Sequence, residues 1–356
     1  MAASRILSVS QKIIKPSFPT PLLRRHNLSF LDQISLSIYA PTAAFYSKPA
    51  NNNISQILEN SLSKVLSSYY PFAGRIKAIS ICISHKIADG YNLSKFLNDW
   101  AATTRELDFE PSTQFDAASF FPPMDDPPVI PNVVREQCVS RMFNISSYSL
   151  GKLKDIVSTN SEVQNLTRIE VATALVHKCG MSVSMANSGL FRPSLVTHLM
   201  NLHPHFPLNT IGNAYCFLNS ATTTEDEIQL PHIVAQLRKA KQHQRNMLKD
   251  MSSDKIALHA LESINAGVNI IIEKKYDPYM YSSLCNLGLY KIDFGWGKPI
   301  NVTLARSPMK NNIVFLDNPS GEGINTLITL TEADMLIFQS NKELLEFAYP
   351  VVYSPE

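Results

Sequence analysis

A proline-rich segment divides this sequence into two parts. Residues 121–131 hold five prolines within eleven positions. Proline fixes φ and cannot donate a backbone hydrogen bond, so this segment is expected to be stiff, extended and poor in helix. A chain of 356 residues is also longer than one ordinary domain. The sequence therefore predicts one domain over residues 1–120, a linker over 121–131 and a second domain over 132–356.

Both parts mix helix and strand patterns. Apolar residues recur at three- and four-residue spacing from Ile54 until Pro71, which predicts an amphipathic helix. Thr167 and Glu170 have the spacing of a capping box, which predicts a helix starting near Arg168. Further strands are predicted at 79–83, 195–199, 215–218, 313–316 and 327–330, and further helices at 232–248 and 331–347. This interleaving indicates an α/β fold and leaves open whether the strands are parallel.

The first fifteen residues have two readings. They contain no acidic residue and several serines, as a transit peptide does, but the apolar pattern of residues 6–14 also suits a first strand.

The composition favours a small-molecule partner over nucleic acid or membrane. The 32 basic and 30 acidic residues give a net charge of only +2, so no broad field attracts a polyanion. Apolar runs are far shorter than the roughly 20 residues that a membrane span needs. The five cysteines lie far apart with no Cys-x-x-Cys pair, which predicts reduced thiols rather than a metal or redox site. We expect a cytoplasmic, globular protein without a bound metal.

The first candidate for chemistry is a histidine directly after a predicted strand. His85, Asp89 and Gly90 form a His-x-x-x-Asp-Gly segment, and Gly90 is expected to allow a tight turn into the next helix. A histidine can be neutral at cellular pH and still accept a proton, which suits a general base. This spacing also arises by chance, so a loop histidine bonded to Asp89 is the alternative.

The second candidate is the pentapeptide Asp293, Phe294, Gly295, Trp296 and Gly297. Two glycines and two aromatics predict a sharp turn with large apolar anchors. A protein-kinase reading of Asp-Phe-Gly fails, because the chain has neither a Gly-x-Gly-x-x-Gly loop nor a His-Arg-Asp segment.

Both motifs, in this order and on opposite sides of the proline-rich segment, resemble the BAHD acyltransferases of plant specialised metabolism, in particular the alkaloid acetyltransferases. Residues 13–17, 28–33, 70–75 and 338–339 also look like landmarks of that family. The resemblance implies two chloramphenicol-acetyltransferase-like domains with a channel between them. It further implies a cytoplasmic monomer that uses acyl-CoA, by default acetyl-CoA, as co-substrate and an alcohol as acceptor, with no permanent cofactor or metal.

The resemblance also implies roles for individual residues. His85 is expected to be the general base, and Asp89 to form a structural ion pair that supports the loop. The family has an arginine as partner of this aspartate, whereas here His203 stands at that place and is expected to orient the loop less firmly. The 293–297 turn is expected to shape the fold and the donor side. Thr167 and Arg168 are candidates to meet a CoA phosphate at a helix start, with an ordinary capped helix as the alternative.

A gap follows Lys77. The family has several strands between the landmarks that adjoin here at Lys77 and Ala78, so we expect a shortened N-terminal domain. Two functions are therefore carried forward. One is an acyl-CoA-dependent O-acyltransferase, acting on a hydroxyl of an alkaloid or other plant metabolite. The other is a catalytically silent, truncated family member that acts as a binding protein.

Overall fold

The computed structural model describes residues 12–20, 26–47, 53–72, 76–77, 80–105, 108–128, 137–304, 307 and 309–351. The helices are α1 Phe30–Ile34, α2 Ile54–Ser68, α3 Gly90–Arg105, α4 Ala117–Phe120, α5 Ser147–Thr159, α6 Arg168–Ser188, α7 Leu230–Lys249, α8 Ser253–Ile272, α9 Glu332–Phe338 and α10 Lys342–Phe347. The strands are β1 Tyr39–Phe45, β2 Ile76–Lys77, β3 Ser80–Ser84, β4 Cys138–Ile145, β5 Ser194–Asn201, β6 Tyr215–Thr222, β7 Asp277–Ser283, β8 Asn301–Leu304, β9 Asn312–Asp317, β10 Ile324–Thr331 and β11 Ala348–Pro350.

The strands form two sheets. The smaller sheet has four antiparallel strands in the order β2-β3-β1-β8. The larger sheet has seven strands in the order β11-β4-β10-β9-β7-β5-β6. It is mixed, because β7 runs parallel to both β5 and β9 while the other pairs are antiparallel. The predicted α/β class is confirmed.

The smaller sheet contains a strand from late in the chain. Strand β8 pairs antiparallel with β1, so that Phe45 lies opposite Asn301. Val302 of β8 is fully buried and belongs to the same apolar core as helices α2 and α3. The predicted domain limits stay a prediction, but the C-terminal part of the sequence completes the sheet of the N-terminal part.

Helices α2 and α3 cover one face of this sheet. The three- and four-residue spacing in α2 buries Leu62, Val65 and Leu66, and on the sheet Ile81 and Ile83 are buried toward the same core. The predicted helix, strand and second helix around His85 are thereby confirmed, and His85 lies between β3 and α3.

The larger sheet packs against the helices of the C-terminal part. The predicted capping box is present at the start of α6, where the Thr167 side chain accepts from the Glu170 N–H and the Glu170 carboxylate accepts from the Thr167 N–H. The predicted β5–β6 pair and the β9–β10 hairpin are also confirmed. None of the helices in the described part of the chain is long and apolar enough to cross a membrane.

Three expectations differ from the structure or extend beyond the described residues. Of the first strand predicted at 6–14, residues 6–11 lie outside the described residues, and residues 12–14 form no strand. The reason predicted for Gly90 is wrong, because this residue begins α3 and does not have a positive φ. A Cβ at Gly90 would overlap the end of the Leu284 side chain, so an alanine there would require that side chain to shift. In the linker, residues 121–128 are free of helix as predicted, and 129–131 are not described.

Candidate active site

His85 is held through its main chain. Its N–H donates to the Ile38 carbonyl at 2.9 Å, and its own carbonyl accepts from Asn213 Nδ2 at 2.8 Å. The side chain is half-buried, with Nδ1 enclosed and unbonded among the described residues. Nε2 is not among the enclosed, unbonded atoms of the described residues. An imidazole held like this can act as a general base.

Asp89 turns its carboxylate toward structural partners. Oδ2 accepts from His203 Nε2 at 2.8 Å and from the Ala214 N–H at 3.2 Å. Oδ1 accepts from the Asn92 N–H at 3.1 Å, so the Asp89 side chain caps the start of α3. Burial alone would raise the pKa of Asp89, but the charge and hydrogen bond of His203 and the two backbone N–H groups lower it below its usual value. These bonds connect the carboxylate to the start of α3 and to the segment before β6.

His203 fills the place opposite Asp89. Its side chain is 1% exposed, and its ring stacks on Tyr91 with 4.2 Å between the centroids. The Asn201 side chain accepts from the His203 backbone N–H at 2.9 Å, which fixes the Asn-x-His segment. The structure thus brings His203 to Asp89, as its place in the sequence predicted.

The histidines near His203 do not form a metal centre. His198 Nε2 lies 3.0 Å from the Thr173 hydroxyl instead. Across the described ranges, no three His, Cys, Asp or Glu side chains are grouped so that they could hold a metal ion.

A segment that sequence reasoning did not single out holds the loop of His85 and Asp89 from the other side. Residues 212–214 lie just before β6, and each of them donates a hydrogen bond to the loop or to the start of α3. The three bonds are Gly212 N to Asn92 Oδ1 (2.9 Å), Asn213 Nδ2 to the His85 carbonyl (2.8 Å) and Ala214 N to Asp89 Oδ2 (3.2 Å).

Gly212 brings this segment close to helix α4. Its φ is +146°, and a Cβ built on it would lie less than 3.0 Å from Ala117 Cβ, a distance that real Cβ atoms essentially never show. Only glycine allows this approach. The Gly-Asn pair at 212–213 was the available signal, but nothing in one sequence connects it to His85.

A buried carboxylate contacts the 212–214 segment. Asp32 of α1 is fully buried, and its Oδ1 accepts from both Asn213 N (2.8 Å) and Asn213 Nδ2 (2.7 Å). Its Oδ2 accepts from the N–H and hydroxyl of Ser29. Burial raises the pKa of Asp32, and the hydrogen bonds from Asn213 and Ser29 offset only part of that rise.

The 293–297 turn anchors α3 to the region of β8. Asp293 Oδ1 accepts from the Gly295 N–H (2.8 Å) and the Gly297 N–H (3.0 Å), and both glycines have a φ of +106°. These backbone donors lower the pKa of Asp293. The buried Phe294 ring meets the Trp100 ring edge-on, with 5.0 Å between the centroids. The turn is therefore the predicted sharp turn with apolar anchors, and its role toward the donor stays a prediction.

Thr167 and Arg168 have structural partners. Arg168 Nη1 donates to the carbonyls of Gly321 (2.8 Å) and Glu322 (3.1 Å), and Nη2 lies 3.2 Å from Asp317 Oδ1. The Thr167 hydroxyl is occupied by the capping box. These contacts favour the capped-helix reading, and the CoA contact stays a prediction.

This chain is similar to known proteins in both sequence and structure. The Transferase family model matches residues 5–78 and 77–345. Acylsugar acyltransferase 3 of Solanum lycopersicum is 46% identical, over 99% of this chain and 100% of that protein. Vinorine synthase of Rauvolfia serpentina is also similar in sequence. The crystal structure of vinorine synthase matches this one with a TM-score of 0.80 and 26% identity, over 95% of this chain and 97% of that one. F. graminearum TRI101 complexed with coenzyme A and deoxynivalenol gives a TM-score of 0.72 with 14% identity over 91% and 98% of the two chains, a likeness of fold alone.

The comparisons also confirm the gap after Lys77. The two segments matched by the family model meet at residues 77–78. The alignment with the tomato acyltransferase runs over 433 positions and this chain has 356 residues, so at least 77 positions have no counterpart here. The interruption falls between β2, which has only two residues, and β3.

The matched segments together extend over nearly the whole chain, and the fold agrees with that of vinorine synthase over 95% of this chain. This chain belongs to the Transferase family of BAHD acyltransferases and has its chloramphenicol-acetyltransferase-like fold, with an internal segment missing after Lys77.

Proposed function

We propose that this protein is an acyl-CoA-dependent O-acyltransferase with His85 as its general base. The observation that carries the proposal is the geometry of His85, whose main chain is bonded on both sides. We infer that a substrate meets Nε2, because Nδ1 is enclosed and unbonded among the described residues. Asp89 and His203 support the loop without taking part in proton transfer.

The reaction follows from this arrangement. His85 Nε2 takes the proton of the acceptor hydroxyl while the hydroxyl oxygen attacks the thioester carbonyl carbon of the acyl-CoA. The tetrahedral intermediate then collapses, the carbon–sulfur bond breaks, and the leaving thiolate of CoA takes the proton from the imidazolium. His85 returns to its neutral form, and the products are an ester and free CoA.

The substrates are proposed from relatives. Acetyl-CoA is the proposed donor, and the structural neighbour TRI101 was crystallised with coenzyme A. An alkaloid alcohol is the first proposed acceptor, since vinorine synthase has the same fold. The tomato relative at 46% identity is named for acylsugars, so a partly acylated sugar is a second acceptor class to test. The cytoplasmic location and the monomeric state remain predictions.

The missing segment supports a second candidate function. The sheet that carries His85 ends in a strand of two residues at the interruption, and a family member with a shortened sheet could bind ligands or partners without turnover. Under this reading the protein would fold and bind CoA but release none from acetyl-CoA.

The test measures free CoA with a thiol reagent. Parent protein, acetyl-CoA and panels of alkaloid alcohols and acylsugars are compared with His85→Ala, and with His232→Ala as a control for an exposed histidine on α7. Loss of the base is expected to lower acceptor-dependent turnover about 10²- to 10⁴-fold, and His232→Ala should match the parent. Equal CoA release by His85→Ala would refute the assigned base.

Thermal unfolding separates the two candidates. CoA at 100 times its Kd should stabilise the native state by about 2.7 kcal/mol. A melt that CoA shifts upward, without turnover on any acceptor, would favour the silent binding protein.

A further inference from the structure

The Asp32 carboxylate has two sides with different partners. Oδ2 completes the capping box of α1, where it accepts from the Ser29 N–H at 3.0 Å and the Ser29 hydroxyl at 2.8 Å. Oδ1 accepts from the Asn213 N–H at 2.8 Å and from Asn213 Nδ2 at 2.7 Å. Four donors fill the capacity of a carboxylate. The capping box needs only the first side, so the second side requires its own explanation.

Asn213 passes this contact on to His85. Its amide nitrogen has two hydrogens, and these reach two groups that can only accept, the Asp32 carboxylate and the His85 carbonyl. Because neither partner can donate, the orientation of the amide is fixed by chemistry. Asp32 and Asn213 are both fully buried, so water does not compete for these bonds.

We propose that Asp32 is a positioning residue for catalysis, which acts through Asn213 to hold the main chain of His85. This inference rests on the proposed role of His85 as the base. The His85 carbonyl is bound only by Asn213 among the described residues, so the direction in which the imidazole leaves the backbone depends on where Asp32 holds that amide. A displacement of about 1 Å at a reacting group can lower a rate about 10²-fold.

Three variants separate positioning from helix capping. Asp32→Asn keeps the shape and removes the charge. Asn213→Ala removes both side-chain bonds of the link from Asp32 to His85 and keeps the Asn213 N–H bond to Asp32. Ser29→Ala removes the hydroxyl on the capping side. We expect Asp32→Asn and Asn213→Ala to lower kcat about 10- to 100-fold, with the KM for acetyl-CoA nearly unchanged. The double variant should be no slower than the slower single one, since both remove the same link. Ser29→Ala should lose stability but keep kcat.

A second readout does not depend on turnover. Diethyl pyrocarbonate modifies accessible, neutral histidine, and mass spectrometry of the His85 peptide gives the rate of modification. We expect that rate to change several-fold in Asp32→Asn and Asn213→Ala but not in Ser29→Ala, with circular dichroism to show that each variant is folded. If Asp32→Asn does not fold, Asn213→Ala and Ser29→Ala still decide the question.

Two results would overturn the proposal. One is a folded Asn213→Ala or Asp32→Asn variant with the parent's kcat and the parent's rate of His85 modification. The other is a Ser29→Ala variant that loses as much kcat as Asp32→Asn, which would leave helix capping as the sole role. If the parent releases no CoA with any acceptor, the proposed function fails, whereas the modification rates still decide whether Asp32 positions His85.

Discussion

Replacing Gly212 with alanine tests whether the 212–214 segment controls the position of the loop that holds His85 and Asp89. The added Cβ would lie less than 3.0 Å from Ala117 Cβ, whereas carbon atoms in good contact are about 3.5–4.0 Å apart. The segment or helix α4 must therefore shift by at least about 0.5–1 Å. The φ of +146° is also unfavourable for an L side chain.

The loss of stability has two sources, the overlap with Ala117 and the backbone strain at position 212. Overpacking costs about 1–3 kcal/mol and a strained backbone about 1–3 kcal/mol, so Gly212→Ala should lose about 2–6 kcal/mol of unfolding free energy. A shift of this size also moves the donors to His85 and Asp89, so turnover should fall up to about 10²-fold. Urea unfolding measures the first quantity, and CoA release measures the second.

A rescue variant makes the test specific. Adding Ala117→Gly removes the atom that the new Cβ would meet, but it leaves the backbone strain of position 212. The double variant is expected to regain most of the turnover and only part of the stability. The reasoning would be refuted if Gly212→Ala matched the parent in both assays, or if Ala117→Gly restored neither.

Three further predictions concern other parts of the molecule. Gly151→Ala in α5 has open space around the new Cβ and should stabilise the protein by about 0.5–1 kcal/mol in urea unfolding; a loss of stability would contradict this. Burial raises the pKa of Glu170, but the Arg238 ion pair and the capping box outweigh it and lower this pKa from 4.5 to about 2. Glu170 therefore contributes roughly 3 kcal/mol to the free energy of unfolding, and this contribution is complete above pH 4.5 and is lost as the pH falls toward 2. Glu170→Gln should flatten the dependence of stability on pH in that window, and an unchanged acid limb would count against it. His203→Arg places a larger side chain where the imidazole is only 1% exposed, so the variant should be less stable than the parent and should turn over no faster. Higher turnover would show that the imidazole holds the Asp89 loop less firmly than a guanidinium.

Local patterns in the sequence predicted local structure well. The capping box at Thr167 and Glu170 involves residues three apart, and the structure has it as expected. The placement of His85 between a strand and a helix followed from alternating apolar residues before it and from apolar residues at three- and four-residue spacing after it. In both cases the residues that form the element are neighbours in sequence, so the periodicity contains the information.

Contacts between distant residues were not predictable in this way. The bond between Asn213 and His85 joins two loops far apart in the chain, and the residue types alone do not single out either partner. Gly90 shows the same limit, because its environment is set by Leu284 of another segment. The pairing of Asp89 with His203 was expected only because the family resemblance supplied the position of an ion-pair partner.

The pairing of β8 with β1 has a consequence for synthesis on the ribosome. The partner strand of β1 is made roughly 250 residues later, which takes about 10–50 s at 5–20 residues per second. During that time the edge of β1 that later binds β8 is open to other chains and to chaperones. A ribosomal pause or a premature stop before residue 301 should therefore leave the sheet that carries His85 without its last strand.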